Sequence, residues 1–185
     1  MAVKKILFIE GEATVNGDPR IGFSELLGQK LDRKPKIVLG GGKPSTVKQF
    51  LKNKFGAESF LLMDLDKDET GRNDDIRENH LKEHETHVFY MIQEIESWFL
   101  SQPEVLDKYY GITTSGKKIS EIISNRKCSD IENPKEELIR VTQTLNKGEK
   151  YHVIKHVADL LQRLDATKLE NDFPDFKRLV EALRK

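Results

Sequence analysis

The segment Phe60–Glu69 (FLLMDLDKDE) determines the fold and raises the chemical question. Four apolar residues run directly into three alternate acids, Asp64, Asp66 and Asp68. A short apolar run is typical of a strand that is buried on both faces of a parallel sheet. Carboxylates so close together repel one another, and burial adds a desolvation cost. Solvent, a neighbouring base or a metal ion has to offset that cost.

Similar apolar runs occur on both sides of this segment. They are KKILFIEGE (residues 4–12), PKIVLGGG (residues 35–42) and HVFYMI (residues 87–92). Two segments between these runs, residues 23–31 and 43–56, have helical spacing. We expect Ser45 to be the N-cap of the second helix and Gly56 to end it. This alternation predicts an α/β fold, a doubly wound parallel sheet flanked by helices.

From Gln93 onward the pattern changes to one amphipathic helix after another. The sequence therefore predicts an α/β core over residues 1–92 and a helical region over residues 93–185 that packs on the core. The charge-rich segment from Lys67 to His87 is expected to form an exposed loop or a short helix.

Composition limits the classes of function. Lys plus Arg and Asp plus Glu both number 31 among 185 residues, so no global positive field attracts nucleic acid. The balance of charge does not exclude a local basic groove.

The single cysteine, Cys128, cannot form an internal disulfide, which favours a reducing compartment. The apolar run Ile6–Ile9 is too short for a signal peptide, and no stretch approaches the roughly 20 apolar residues of a membrane span. We expect a soluble, cytoplasmic protein.

The acids occupy positions where open α/β sheets bind ligands, beyond the carboxyl ends of the strands. Glu10 and Glu12 follow the first strand, and Asp64 and Asp66 follow the third. If these two strands are neighbours, Glu10 and the aspartates form a hard-oxygen site suited to Mg²⁺ or Mn²⁺. The alternative is a solvated loop start, because acids after a strand can simply point into water.

Two known motifs share part of the acidic pattern. An EF-hand loop needs Gly at position six and Glu at position twelve, where this chain has Glu69 and Asp75, and a strand precedes the acids instead of a helix. Haloacid-dehalogenase-like phosphatases also carry Asp-x-Asp after a strand, with the first Asp as nucleophile. That motif resembles DLDKDE in its first three residues and normally closes the first strand of its domain, so it remains a minor alternative.

Two motifs in this order resemble the Toprim domain. LFIEGE is similar to its hydrophobic-Glu-Gly motif, and LLMDLD is similar to its hydrophobic Asp-x-Asp motif. Toprim domains occur in topoisomerases, primases, recombination proteins and OLD-type nucleases, where the acids bind Mg²⁺ for phosphodiester chemistry. The resemblance therefore implies a Toprim-like fold and a magnesium-dependent site.

The second half resembles a prokaryotic Toprim-like family, domain of unknown function 4276. Its members carry a segment similar to IQEIESWFLSQPEVLDKYYG after the fourth strand, then NPK and a Tyr-then-Lys stretch, here NPKEEL and YHVIKHV. The resemblance covers nearly the whole chain. It departs after the Glu-Gly pair, where the family commonly has a second acid and this chain offers Glu12 or Asp18 out of register.

The resemblance assigns roles to individual acids. It implies that Glu10, Asp64 and Asp66 are catalytic metal ligands and that Glu96, beside Trp98, is a further one. From the residues alone, Glu96 is also compatible with a solvated helix start, where acids favour the N-terminal dipole. Trp98 belongs to the apolar part of its helix and is expected in the core.

The resemblance also implies an activity. It points to hydrolysis of nucleic acid by a Toprim-type nuclease that uses Mg²⁺ or Mn²⁺, acting with a partner ATPase in a prokaryotic defence-type system. The alternative is a non-catalytic Toprim-like subunit that binds metal or nucleotide.

Basic and glycine residues are candidates for contacts with a substrate phosphate. Gly41, Gly42 and Lys43 open a helix, where backbone amides can cradle a phosphate, although a tight strand exit explains the glycines equally well. Lys135 and Lys155 match later lysines of the family and can neutralise transition-state charge. As isolated lysines they are equally compatible with an ordinary surface position.

Overall fold

The computed structural model describes residues 4–15, 17–53, 58–111, 113, 115–123, 130–145 and 149–185. Four strands in these ranges form one sheet: β1 (Lys5–Ile9), β2 (Lys36–Leu39), β3 (Glu58–Asp64) and β4 (Val88–Met91). Their order is β2-β1-β3-β4, and every neighbouring pair is parallel. The parallel α/β fold and the adjacency of the first and third strands are confirmed. Gly56 and Cys128 lie outside the described residues.

Helices account for most of the remaining described chain. They are α1 (Pro19–Gly28), α2 (Lys43–Lys52), α3 (Arg72–Glu78), α4 (Glu96–Leu100), α5 (Pro103–Tyr110), α6 (Ile119–Ile123), α7 (Pro134–Thr142), α8 (Val153–Arg163), α9 (Ala166–Asp172) and α10 (Pro174–Arg184), with short 3₁₀ turns at Glu69–Gly71 and Lys82–His87. Proline lies in the first turn of α1, α2, α5, α7 and α10. Its fixed φ suits that position, where its missing N–H costs no helical hydrogen bond. None of these helices is both long enough and apolar enough to cross a membrane.

The N-cap expected for α2 is wrong. The helix begins at Lys43 with Gly42 as its cap, and the backbone N–H of Ser45 already donates to the Gly42 carbonyl at 3.0 Å. Pro44 explains the earlier start, because proline favours the first helical turn. The charged segment that was expected to be a loop or short helix contains the two 3₁₀ turns and α3.

The two faces of the sheet pack against different helices, because successive side chains of a strand point to opposite faces. One face presents Phe8, Leu61 and Met63 to α2 and α3. The other face contributes Leu7 and Leu62 to a larger core that includes α1 and the helices from α4 to α10. The helical part of the chain therefore shares a core with the sheet. The division near residue 92 stays a prediction.

Trp98 lies at the centre of the larger core. Its side chain is fully buried, and its ring meets those of Phe23, Phe173 and Phe176 at centroid distances of 5.1–6.3 Å. The expectation that Trp98 is a core residue is confirmed. This packing holds α4, and with it Glu96, against the carboxyl edge of the sheet.

Candidate functional site

Strand register brings the predicted acids to one edge of the sheet. Ile9 pairs with Leu62, and the backbone N–H of Glu10 donates to the Leu62 carbonyl at 3.1 Å. Asp64 ends β3 and pairs with Met91, the last residue of β4. The residues that follow β1, β3 and β4 therefore emerge side by side, which places Glu10, Asp64, Asp66 and Glu96 around one edge.

Asp64 is the electrostatic centre of this edge. Burial of its carboxyl group raises the pKa of Asp64 well above the ordinary value, and repulsion from Glu96, Glu10 and Asp66 raises the pKa further. One oxygen, Oδ1, accepts a hydrogen bond from the backbone N–H of Ile95 at 3.0 Å. The solvated-loop alternative therefore does not describe Asp64, whose half-buried carboxyl group is hydrogen-bonded to the backbone and surrounded by like charges.

Glu10 carries an unsatisfied atom. Its Oε2 is buried and has no hydrogen-bond partner among the residues that the structure describes. Burial raises the pKa of Glu10, the Lys43 ammonium opposes that shift, and the Asp66 carboxylate adds to it. A buried acceptor without a partner is uncommon and costs free energy. A hard divalent cation, which binds oxygen ligands, would satisfy this atom.

The backbone around Asp66 is held in an unusual conformation. Asp66 and Gln93 both have φ of +60°, in the left-handed region that residues other than glycine seldom adopt. Two hydrogen bonds join their loops, from the Asp66 N–H to the Gln93 carbonyl at 2.8 Å and from the Gln93 N–H to the Lys67 carbonyl at 3.0 Å. These bonds fix the position from which the Asp66 carboxylate projects, although its side chain is 60% exposed.

Lys43 faces the acids from the start of α2. Its Nζ lies 2.5 Å from Asp66 Oδ2 and 3.3 Å from Asp75 Oδ1. The other oxygen of Asp75 accepts a hydrogen bond from the Tyr90 hydroxyl at 2.7 Å. Burial lowers the pKa of Lys43, but the hydrogen bond to Asp66 and the charges of Asp75, Asp66 and Glu10 outweigh it, so the net pKa is raised. Sequence analysis named Asp75 only in the comparison with an EF-hand loop and missed it as a residue of this site, 9 residues beyond Asp66.

The predicted phosphate contacts are only partly available. The N–H of Gly41 already donates to the Gly11 carbonyl at 3.0 Å, and the Gly11 N–H returns a bond of 2.9 Å to Gly41. Gly41 has φ of +83° and Gly11 has φ of +134°, values that only glycine adopts readily. The backbone conformation at this contact is therefore a sufficient reason for glycine at both positions. Gly42 caps α2. Lys155 is exposed on α8 and pairs with Glu149 at 2.7 Å, without a contact to the acids.

Glu96 is buried behind Asp64. It is 2% exposed, so the alternative of a solvated helix start is wrong for this residue. Its Oε1 accepts a hydrogen bond of 2.7 Å from the Tyr151 hydroxyl. Burial raises the pKa of Glu96, the Tyr151 hydrogen bond opposes the shift, and Glu94 adds to it. Tyr151 was missed as an individual residue, although it opens the YHVIKHV stretch.

The helical region closes this side of the site. The Glu94 carboxylate accepts from the backbone N–H of Lys135 at 3.3 Å, and the Gln93 amide donates to the Ile131 carbonyl at 2.8 Å. Lys135 lies at the start of α7, and its charge lowers the pKa of Glu96 against the effect of burial. The NPK stretch therefore contributes to the surroundings of the acids.

We expect Tyr151→Phe to destabilise the protein by about 1–3 kcal/mol, because it leaves Glu96 Oε1 buried without its donor. Tyr109→Phe is the matched control, since the only hydrogen bond of the Tyr109 hydroxyl within the described ranges is a longer, exposed one of 3.3 Å to Asp159. Its effect should stay within about 0.5 kcal/mol. Urea unfolding of both variants measures the difference. Equal losses in the two variants would contradict a special role for the Tyr151 hydroxyl.

The acids converge without already forming a chelate. In the described ranges, no three side chains of His, Cys, Asp or Glu stand close enough together to hold a metal ion. Asp66 instead contacts Lys43, Asp64 contacts the Ile95 N–H, and Glu96 contacts Tyr151. The donor set fits Mg²⁺ or Mn²⁺ chemically, because it consists of carboxylate oxygens and includes the unsatisfied Oε2 of Glu10. Binding of an ion by three of these side chains would require them to move.

Comparison with known proteins identifies the family. A family model described as a domain of unknown function, DUF4276, matches residues 44–184. This range contains Asp64, Asp66 and Glu96, whereas Glu10 precedes it. No curated protein and no solved structure matches the chain. Because the match spans more than half of the residues, the chain belongs to the DUF4276 family.

Proposed function

We propose that this protein is a metal-dependent phosphodiesterase that hydrolyses nucleic acid, a Toprim-type nuclease. The observation that carries the proposal is the buried, unpartnered Oε2 of Glu10 at the sheet edge that also holds Asp64 and Asp66. Carboxylates that are grouped together and partly desolvated favour a divalent cation as their counter-charge. The resemblance of LFIEGE and LLMDLD to the Toprim motifs supports the same chemistry.

Different residues of the chain would have different roles in such a site. Glu10, Asp64 and Asp66 would hold Mg²⁺ or Mn²⁺, and Glu96 would hold a second ion or support Asp64 from behind. A bound ion of this kind activates water and stabilises negative charge that develops on a phosphate. Lys43 lies on the same edge, 15% exposed, and offers an ammonium group to that phosphate.

We also propose a protein partner, the ATPase that the family resemblance implies in prokaryotic defence-type systems. The equal numbers of acidic and basic residues support this step, because a chain without net charge attracts a polyanion weakly. A partner would deliver the nucleic acid. This protein would then supply the hydrolytic site.

Cleavage assays test the proposed function directly. We expect the full chain with Mn²⁺ or Mg²⁺ to cleave at least one of single-stranded DNA, double-stranded DNA and RNA, and EDTA to abolish cleavage. A mononucleotide substrate, and reactions with and without an ATPase encoded beside the gene, complete the panel. Metal binding without cleavage in any combination would contradict the enzyme and favour the non-catalytic subunit.

A further inference from the structure

Lys43 is placed as a fixed partner of the acids. Its aliphatic stem leaves the first turn of α2, and its side chain is 15% exposed. The carboxylate that it contacts most closely, Asp66, is 60% exposed and remains accessible to solvent. The Lys43 side chain is therefore the more buried member of the pair, and Asp66 is the member that an incoming ion can reach.

We propose that Lys43 is a built-in counter-cation, which holds Asp66 in the metal-free protein and competes with a divalent cation for that carboxylate. This inference rests on the proposed function, because the competing ion is the one that the nuclease would use. It assigns to Lys43 a role toward the metal in addition to a contact with phosphate.

The contacts of Asp75 explain how Lys43 can release Asp66. Asp75 Oδ1 lies 3.3 Å from Lys43 Nζ, and its Oδ2 accepts the 2.7 Å hydrogen bond from Tyr90. Tyr90 is a buried residue of β4, so Asp75 is anchored to the sheet. When Asp66 turns toward a metal ion, the ammonium retains Asp75 as a partner and is not left buried alone, which would be costly.

Electrostatics makes the competition measurable. An ammonium and a divalent cation that share one carboxylate repel each other over a few ångströms, and this repulsion is strong where water is partly excluded. Lys43 should therefore weaken metal binding relative to the acids alone. It should also stabilise the metal-free fold, because it is the cation that contacts Asp66 and lowers the pKa of Glu10.

Mn²⁺ titration by calorimetry tests the inference on the full chain. We expect Lys43→Met, which keeps the stem and removes the charge, to bind Mn²⁺ about tenfold more tightly than the wild type. The same variant should melt at a lower temperature in EDTA. Lys43→Arg keeps the charge and should bind Mn²⁺ within about twofold of the wild type. Lys48→Met, an exposed site on the same helix, should change neither property.

A lysine with only a structural role would lower the melting temperature without tightening Mn²⁺ binding. Unchanged or weaker binding by Lys43→Met, or no binding by either protein, would overturn the inference. Lys43→Gln provides the same test if Lys43→Met fails to fold. The readout is separate from cleavage. Tighter binding by Lys43→Met, together with no nuclease activity in the wild type, would support the counter-cation and contradict the proposed function.

Discussion

Glu10→Gln is expected to abolish metal-dependent cleavage while leaving the protein folded. Glutamine keeps the shape of the side chain and removes the negative charge, so the buried Oε2 position no longer attracts a cation. Loss of an outer-shell partner of a metal ligand typically costs about 10–100-fold, and loss of a ligand should cost more. Asp66→Asn should have a similar effect, because it removes the negative charge of the most exposed of the proposed ligands, which is the one that an incoming ion can reach. Initial rates with Mn²⁺ measure both changes.

Asp68→Asn is the matched control for these variants. Asp68 is the third acid of the alternating series, but its carboxylate accepts a hydrogen bond from the Thr70 N–H at 3.0 Å and is solvent-exposed. Its replacement should leave cleavage near the wild-type rate. Cleavage that survives in the Glu10→Gln, Asp66→Asn double variant would indicate a different site or a contaminating nuclease.

Asp64→Asn is expected to remove most of the stabilisation that Mn²⁺ gives to the wild type. At a free concentration 100 times the Kd, binding stabilises a protein by about 2.7 kcal/mol, which corresponds to a rise in melting temperature of about 5–10 °C for a chain of this length. Asparagine keeps an oxygen that can accept from the Ile95 N–H but lacks the charge. Thermal melts with Mn²⁺ and with EDTA measure the change. A full shift in the variant would place the ion elsewhere.

The same variant carries a pH signature. The pKa values of Asp64, Glu10 and Glu96 are raised in the folded protein, so the native state binds more protons than the unfolded chain above pH ~4. The stability from these groups is complete at acidic pH and is lost as the pH rises through their raised values. The asparagine side chain of the Asp64→Asn variant cannot ionise. The part of the pH-dependent loss of stability that comes from Asp64 in the wild type is therefore absent from the variant.

In EDTA, the Asp64→Asn variant should therefore match the wild type near pH ~4 and become the more stable protein as the pH rises. With Mn²⁺ present, the wild type should gain stability with rising pH, because metal ligands must be deprotonated. Melting temperatures across this range, with and without EDTA, separate the two trends. A difference in EDTA that is constant across the range would contradict a raised pKa at Asp64.

The sequence by itself determined the sheet and the edge where the acids meet. Strands that are buried on both faces must be apolar throughout, so the runs around Leu7, Leu61 and Phe89 identify them without tertiary information, and the run around Val38 identifies the partly exposed edge strand β2. Parallel strands end at one edge, so the residues that directly follow β1 and β3 are near one another when those strands are neighbours, as they are here. The strands follow from periodicity, which is a local property, whereas the adjacency of β1 and β3 belongs to the tertiary structure.

Only the tertiary structure decided which side chains partner the acids. Lys43 and Asp66 are 23 residues apart, and Glu96 and Tyr151 are 55 residues apart. Their meeting depends on how α2, α4 and the segment that leads into α8 pack on the two faces of the sheet, and no spacing within one segment encodes that packing. The Ser45 cap failed for a different, local reason, because Pro44 starts the helix earlier. Long-range packing, rather than local pattern, therefore supplies the counter-charge that the acidic segment requires.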